Sequence, residues 1–285
     1  MQRVWLAGLR VHQGRPGEAL ELTDAALTDP SRIRHPFAVG HGRFARVYAL
    51  GMLGRPAEAL AALDAAARAP DAEGPPGRRI EAVLHNMTGW VLRGLGRLDE
   101  AEERHQRALT WDGFPGLAEP HAQAGLDLVE VALLRGDVDG AAERLATTRL
   151  QAEGDGTMVW HQRGRHAVLT ARIALAHGRF DDAAGALVTP GTGRSPGTSA
   201  RHALLGRLLL ACARAGRGDP VDRAEVEAAL DGLAQVAGLE AWRYSAMAAR
   251  YLHVPRWAAR SERQLAVLAD RAGEQGGDLR RLASA

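Results

Sequence analysis

Four sets of residues have the types that chemistry requires, and their spacing decides what each can do. Residues 191–199, "GTGRSPGTS", combine three glycines with hydroxyls, the makings of a loop that cradles phosphate. Such a loop needs a strand before it, G-x-x-x-x-G-K-[ST] spacing and a lysine, and the segment has none of these. The chain contains no lysine at all: its 36 Lys+Arg residues are all Arg, so a phosphate-binding lysine and a lysine Schiff base are excluded together. His161 and His166 in "HQRGRH" stand five apart, off the four-residue step that puts two metal ligands on one helix face, and no H-E-x-x-H occurs. The single cysteine, Cys212 in the apolar "LLLACARAG", reads as a buried inert thiol. The acidic pairs Asp99-Glu100 and Asp181-Asp182 could serve as general acid and base, yet both fall at the same place relative to a glycine. A group that recurs in register belongs to architecture. The expectation is a chain with no catalytic residue, no metal and no cofactor.

The elements that carry these residues repeat. "GLGRLDEAEERHQRAL" at 94–109 has relatives in "HQGRPGEALELTDAAL" (12–27), "MLGRPAEALAALDAAA" (52–67), "LLRGDVDGAAERLATT" (133–148) and "LAHGRFDDAAGALVTP" (175–190). The anchoring glycines Gly14, Gly54, Gly96, Gly136 and Gly178, with a weaker sixth at Gly216, recur at 40 to 42 residues, with 38 for the last. Before each runs a helical pattern; in "RIEAVLHNMTGWVLRGL", Ile80, Val83, Leu84, Met87, Val91 and Leu95 line one face. After each runs a second helix. The glycine ends the first helix in a left-handed conformation, Pro16 and Pro56 open the next, and acids in the following first turn suit the helix dipole. Five residues past each glycine stands Ala19, Ala59, Ala101, Ala141 or Ala183, small because two antiparallel helices approach there. One such hairpin cannot bury its apolar face alone, and a stack of them can.

The stretch "LHNMTGWVLRGLGRLDEAEERHQRAL" resembles the tetratricopeptide repeat, with Gly89, Gly96, Ala101 and Ala108 at that repeat's small and turn positions. The other units match in part, with Ala7, Val47, Val129 and Ala171 at the first small position and Thr148 and Pro190 replacing the later alanine. The resemblance implies an all-α, right-handed superhelical solenoid of antiparallel helix pairs. About seven units are expected, near 1–30, 36–70, 78–112, 117–152, 157–189, 199–237 and 239–273, with a short tail at 274–285. Residues 70–79 and 189–199, dense in Pro and Gly, are expected to be surface loops. The last unit lacks the glycine and breaks at Val254-Pro255. In its Ala/Arg/Leu-rich style and long repeat the chain is similar to the helical region of actinobacterial signal-transduction ATPases and large LuxR-type regulators.

Charge follows the repeat. The formal net charge is only +2, but first helices are rich in Arg while second helices lean acidic. In tetratricopeptide arrays the first helices line the concave groove, so the resemblance implies a basic groove, interrupted in unit four by Glu119, Asp127 and Glu130. Arginines at the ends of first helices (Arg93, Arg135, Arg214) are explained by the helix dipole. Arg43, Arg46, Arg163, Arg165 and Arg201 stand well before those ends and are the candidate binding residues, facing a protein or peptide partner with an acidic surface.

The function expected is a non-enzymatic scaffold or sensor in bacterial signalling or transcriptional regulation. The alternative is a detached C-terminal region of an ATPase-type regulator, because Met1 falls inside the first helical pattern. Nucleic-acid binding is disfavoured, since the arginines drift between units and aromatic residues make up only 5% of the chain. No run approaches the roughly 18 apolar residues of a membrane span, and the start is too short and Arg-interrupted for a signal peptide, so a cytoplasmic protein is expected.

Overall fold

The computed structural model describes residues 2–29, 36–69, 74–111, 118–148, 150, 159–188, 199–276 and 279. Among them the chain is all-α, with fourteen α-helices, one short 3₁₀ turn and no strand. The helices are α1 (Gln2–His12), α2 (Pro16–Leu27), α3 (Pro36–Met52), α4 (Pro56–Ala67), α5 (Gly74–Gly94), α6 (Leu98–Thr110) and α7 (Ala118–Leu134). They continue as α8 (Val138–Thr147), α9 (Val159–Ala176), α10 (Phe180–Ala186), α11 (Ala200–Gly216), α12 (Arg223–Val236), α13 (Ala241–Leu252) and α14 (Pro255–Ala272).

One turn chemistry closes six of the hairpins. Gly14, Gly54, Gly96, Gly136, Gly178 and Gly218 have φ between 66° and 81°, where a side chain would strain. The amide of the next residue then returns to the carbonyl five residues back, as in Arg15 to Arg10 at 2.9 Å, Arg97 to Leu92 at 3.0 Å and Asp219 to Arg214 at 2.9 Å. The sixth turn glycine is therefore Gly218 and not Gly216, which restores the spacing of 40 from Gly178. Gly216 is the last residue of α11 and lies against Phe180, where a Cβ would come within 2.3 Å of the ring. The seventh hairpin also turns through a left-handed residue, here not a glycine: His253 sits at φ 53° and is followed by Val254 and Pro255, as Gly14 is by Arg15 and Pro16.

The Arg after the glycine has a job that its position at a positive helix end does not foretell. Arg55 grips Glu58 with two hydrogen bonds of 2.6 and 2.5 Å, and Arg97 grips Glu100 with two of 2.6 Å, so the acid in the first turn is clamped as well as favoured by the dipole. The predicted loop at 70–79 is corrected in its second half: residues from Gly74 onward belong to α5. Pro75 and Pro76 fall in its first turn, where no intrahelical amide partner is lost. Residues 70–73 and 189–198 lie outside the described residues.

Consecutive hairpins stack. Each odd-numbered helix touches the next odd-numbered one, and each even-numbered helix from α2 to α12 touches the odd-numbered helix that follows. Ala19, Ala59, Ala101, Ala141 and Ala183 are fully buried in the hairpin contacts, as are Ala7, Val47, Val129 and Ala171 on the first helices. At Gly89 an added Cβ would stand 2.7 Å from the buried His105 ring. Charges tie hairpin to hairpin on the outside: Arg46 reaches back to Asp24 at 2.6 Å, Arg135 to Asp99 at 2.6 Å, and Arg217 to Asp181 at 2.9 Å.

The stack also returns on itself. α14 touches α4, and Arg271 donates to the Leu53 carbonyl at 3.0 Å. The Gly238 amide donates to the Met52 carbonyl at 2.7 Å, and a Cβ on Gly238 would collide with the backbone of Gly54 at 2.3 Å. Leu239, Trp242, Leu265 and Leu268 share one apolar core with Val47, Leu50, Trp90 and Leu95. Leu279, from the segment expected to be a tail, is buried in the same core.

Candidate functional site

The chemistry of this chain is concentrated between the first helices. α5 brings Arg93, α7 brings Asp127 and Glu130, α9 brings Arg165 and Arg172, and α11 brings Arg201. The α12–α13 turn adds Glu240, and α13 adds Arg243 and Tyr244. Arg93 has no exposed surface; it donates to Asp127 at 2.7 Å and to Glu240 at 2.9 Å, with Glu130 at 3.1 Å. Arg165 donates at 2.7 Å to the same Asp127 oxygen as Arg93, and at 2.7 Å to Gln123. Glu240 accepts from Arg201 as well and from the Tyr244 hydroxyl at 2.8 Å. Arg172 stands 3.7 Å from Glu130 at the edge of the network.

Burial alone would push the Asp127 and Glu240 carboxyls up. Arg165 and Arg93 around Asp127, and Arg201 and Arg93 around Glu240, outweigh it and hold both well below the usual carboxylate range. Arg243 lies at the margin of this balance. It donates to the Arg93 carbonyl at 2.9 Å and rests 5.1 Å from the Trp242 ring centre, and burial, only partly offset by Glu240, lowers its pKa to about 10.

Beside the ion network lies a histidine row. The His12 and His161 rings are 5.2 Å apart, and the His161 and His202 rings 4.9 Å, joining α1 to α9 and α11. His202 shares a 3.0 Å hydrogen bond with the Ser199 hydroxyl, and His161 a 3.2 Å one with Gln123. Burial first, and for His12 also the nearby His41, lowers all three, His12 to about 4. Burial thus disfavours the charged form of each ring. No group of three or more His, Cys, Asp or Glu among the described residues could hold a metal ion. Cys212 is fully buried on α11, and burial pushes its thiol up to about 12.

The five candidate arginines do not share one open surface. Arg165 and Arg201 are buried in the network, each against carboxylates. Arg46 is half-buried on α3 and paired with Asp24, Arg43 is half-buried on the same helix, and Arg163 is exposed on α9. Arg93, which the helix dipole accounted for in the sequence, is instead the centre of the network; Arg135 is an outer tie between hairpins. The acids Asp127 and Glu130, which interrupt the basic rows, were the signal for this pairing, and Glu240 carried none. No family model matches the chain, and no curated protein matches it. No helix among the described residues is long and apolar enough to cross a membrane.

Proposed function

We propose that this chain is a non-enzymatic interaction module: a right-handed superhelical solenoid of the tetratricopeptide kind that captures a protein or peptide segment in the cytoplasm, within bacterial signalling or transcriptional regulation. What supports the reading is the recurrence of one hairpin plan, with its left-handed turn residue and buried alanine, along the chain. The strongest charges of the interior are paired with one another. In this reading Arg165 and Arg201 hold the shape of the module, and Arg43, Arg46 and Arg163 meet the acidic face of a partner. Clefts and faces lined by one sign of charge raise the local concentration of the opposite sign, so the effect is collective.

The test is a triple variant with Arg43, Arg46 and Arg163 each replaced by Gln. Its melting temperature stays near that of the parent, while capture of the native partner weakens and the salt dependence of binding flattens. A triple variant that captures the partner equally well, with the same salt response, removes the basic surface from the proposal. Turnover of any substrate that survives removal of contaminating enzymes removes its non-enzymatic part.

A further inference from the structure

The network between the first helices holds more positive charge than negative. Arg93, Arg165, Arg172, Arg201 and Arg243 all enter it. Their ion pairs among the described residues run only to Asp127, Glu130 and Glu240, and Arg243 forms none. Two positive charges are therefore in excess. Losing a proton does not relieve them, because arginine keeps its charge inside proteins. Even Arg243, lowered by burial to about 10, is a cation at neutral pH.

Donors are in excess as well. Asp127 Oδ1 accepts from both Arg93 and Arg165, Glu240 Oε1 from Arg93, and Glu240 Oε2 from Arg201 and Tyr244. On the outside, Arg46, Arg55 and Arg97 each turn Nε to a carboxylate at 2.6 Å. In the network the buried Nε–H groups of Arg93, Arg165, Arg201 and Arg243 have no hydrogen-bond partner among the described residues. A water molecule supplies an acceptor but no charge. A doubly negative, acceptor-only group supplies both.

Such a group has one way in. Arg93, Arg165 and Arg201 are buried, whereas Arg172 and Arg243 are only part-buried, so the network meets solvent at those two. Both join the same cluster: Arg172 stands 3.7 Å from Glu130, which lies 3.1 Å from Arg93, and Arg243 donates to the Arg93 carbonyl at 2.9 Å. We propose that this edge binds a phosphate-type dianion, held by the guanidinium groups of Arg172 and Arg243. The planar guanidinium fork matches the oxygens of such an ion, and its two charges cancel the excess that a monocarboxylate would only halve. The ligand is free phosphate or the phosphate group of a small phosphorylated molecule. The site is independent of the interaction-module reading, since it uses none of Arg43, Arg46 and Arg163.

Calorimetric titration and thermal melts of the full chain, with inorganic phosphate replacing chloride at constant ionic strength, test it. In the parent, phosphate gives a saturable heat and a melting temperature that rises with its concentration. Sulfate, also a dianion, does the same, and acetate does neither. Arg172 makes a single long ion pair, so Arg172→Gln melts near the parent in chloride yet binds phosphate about tenfold more weakly or worse. Arg243→Gln loses the response, while Arg163→Gln, on the same helix as Arg172, keeps it. A phosphate monoester titrated in parallel separates the sources: tighter binding than inorganic phosphate identifies a phosphorylated small molecule, and equal or weaker binding the free ion. A parent that responds to phosphate no more than to chloride overturns the proposal, as does an acetate response equal to that of phosphate. Undiminished phosphate binding in Arg172→Gln overturns it too, and that variant decides the matter even if Arg243→Gln fails to fold.

Discussion

Glu240 accepts a 2.9 Å hydrogen bond from Arg93, which lies 147 residues earlier in the chain, and both side chains are buried. Arg201 grips the second oxygen of the same carboxylate, so one residue of the α12–α13 turn joins the third hairpin to the sixth. Around it, the Gly238 amide and Leu239 sit against the second and third hairpins through a backbone hydrogen bond and an apolar core. The return of the stack upon itself thus rests on three kinds of contact within three consecutive residues.

Glu240→Gln keeps the shape of the side chain and removes its charge, leaving Arg93 and Arg201 with less than their due of negative charge in a dry interior. Breaking a buried pair from one side typically costs about 3–5 kcal/mol, and the same cost is expected here. Leu239→Ala, which truncates the neighbouring core residue, is expected to cost about 2–5 kcal/mol. Urea midpoints measure both. A Glu240→Gln midpoint within experimental error of the parent would show that the carboxylate does not hold the closure.

The histidines make stability fall with acid. His12, His105, His161 and His202 all have folded pKa values below the ordinary histidine value, through burial first, with His12 and His105 lowered to about 4. The unfolded chain therefore binds protons more readily between about pH 6.5 and 4, so stability is full above that window and drops as pH falls through it. Each lowered histidine contributes up to about 1.4 kcal/mol per pH unit inside the window. Asp127 and Glu240, held below the usual carboxylate range, add a further loss below about pH 4. Melting temperatures from pH 8 to 4 check the sign. A flat profile down to about pH 5 is incompatible with four buried neutral histidines.

The turns make a reciprocal pair of expectations. His253 holds a left-handed conformation that costs a non-glycine residue about 1 kcal/mol, so His253→Gly is expected to raise stability by about that much. At Gly136, where φ is 77° and an added Cβ meets nothing within 4 Å, Gly136→Ala is expected to lose about 1 kcal/mol from the backbone alone. Chemical denaturation of the two variants should move in opposite directions. A destabilised His253→Gly would mean that the imidazole makes a contact worth more than the strain.

The hairpins were legible because their causes are local. A turn glycine, a proline or clamped acid in the next first turn and an alanine five residues on all act within one helical turn of each other, and Ala101 and Gly96 display the set together. The sixth and seventh turns were harder for the same reason. Gly216 ends the helix against Phe180 while Gly218, two residues on, takes the left-handed turn, and at the seventh turn His253 stands where the others have glycine. The return of the stack was not legible, since nothing in "VAGLEAW" announces that Gly238 will meet Gly54. Nor was the fate of the basic rows, because Arg165 finds Asp127 38 residues away and Arg201 finds Glu240 39 residues away. Charge patterns along a sequence register which residues are basic, while pairing depends on which helices become neighbours.

That distinction divides four of the five candidate arginines into two groups by experiment. Arg163 is exposed on α9, and Arg46 forms an outer ion pair with Asp24, with both partners substantially open to solvent. Exposed pairs typically contribute below about 1 kcal/mol, so Arg163→Gln and Arg46→Gln should each leave the melting curve almost unchanged. Arg165 and Arg201 neutralise Asp127 and Glu240 inside the protein, and Gln at either position leaves a buried carboxylate short of its partner. Each of those changes is expected to destabilise the fold by about 3–5 kcal/mol. The acid limb offers a second readout that simple loss of packing would not move. Asp127 then titrates at higher pH in Arg165→Gln, because the guanidinium that does most to hold it down is gone. Its stability loss on acidification accordingly begins at a higher pH than in the parent. If Arg165→Gln and Arg163→Gln melt alike, the buried network is not what organises the first helices, and both arginines belong to one solvated face.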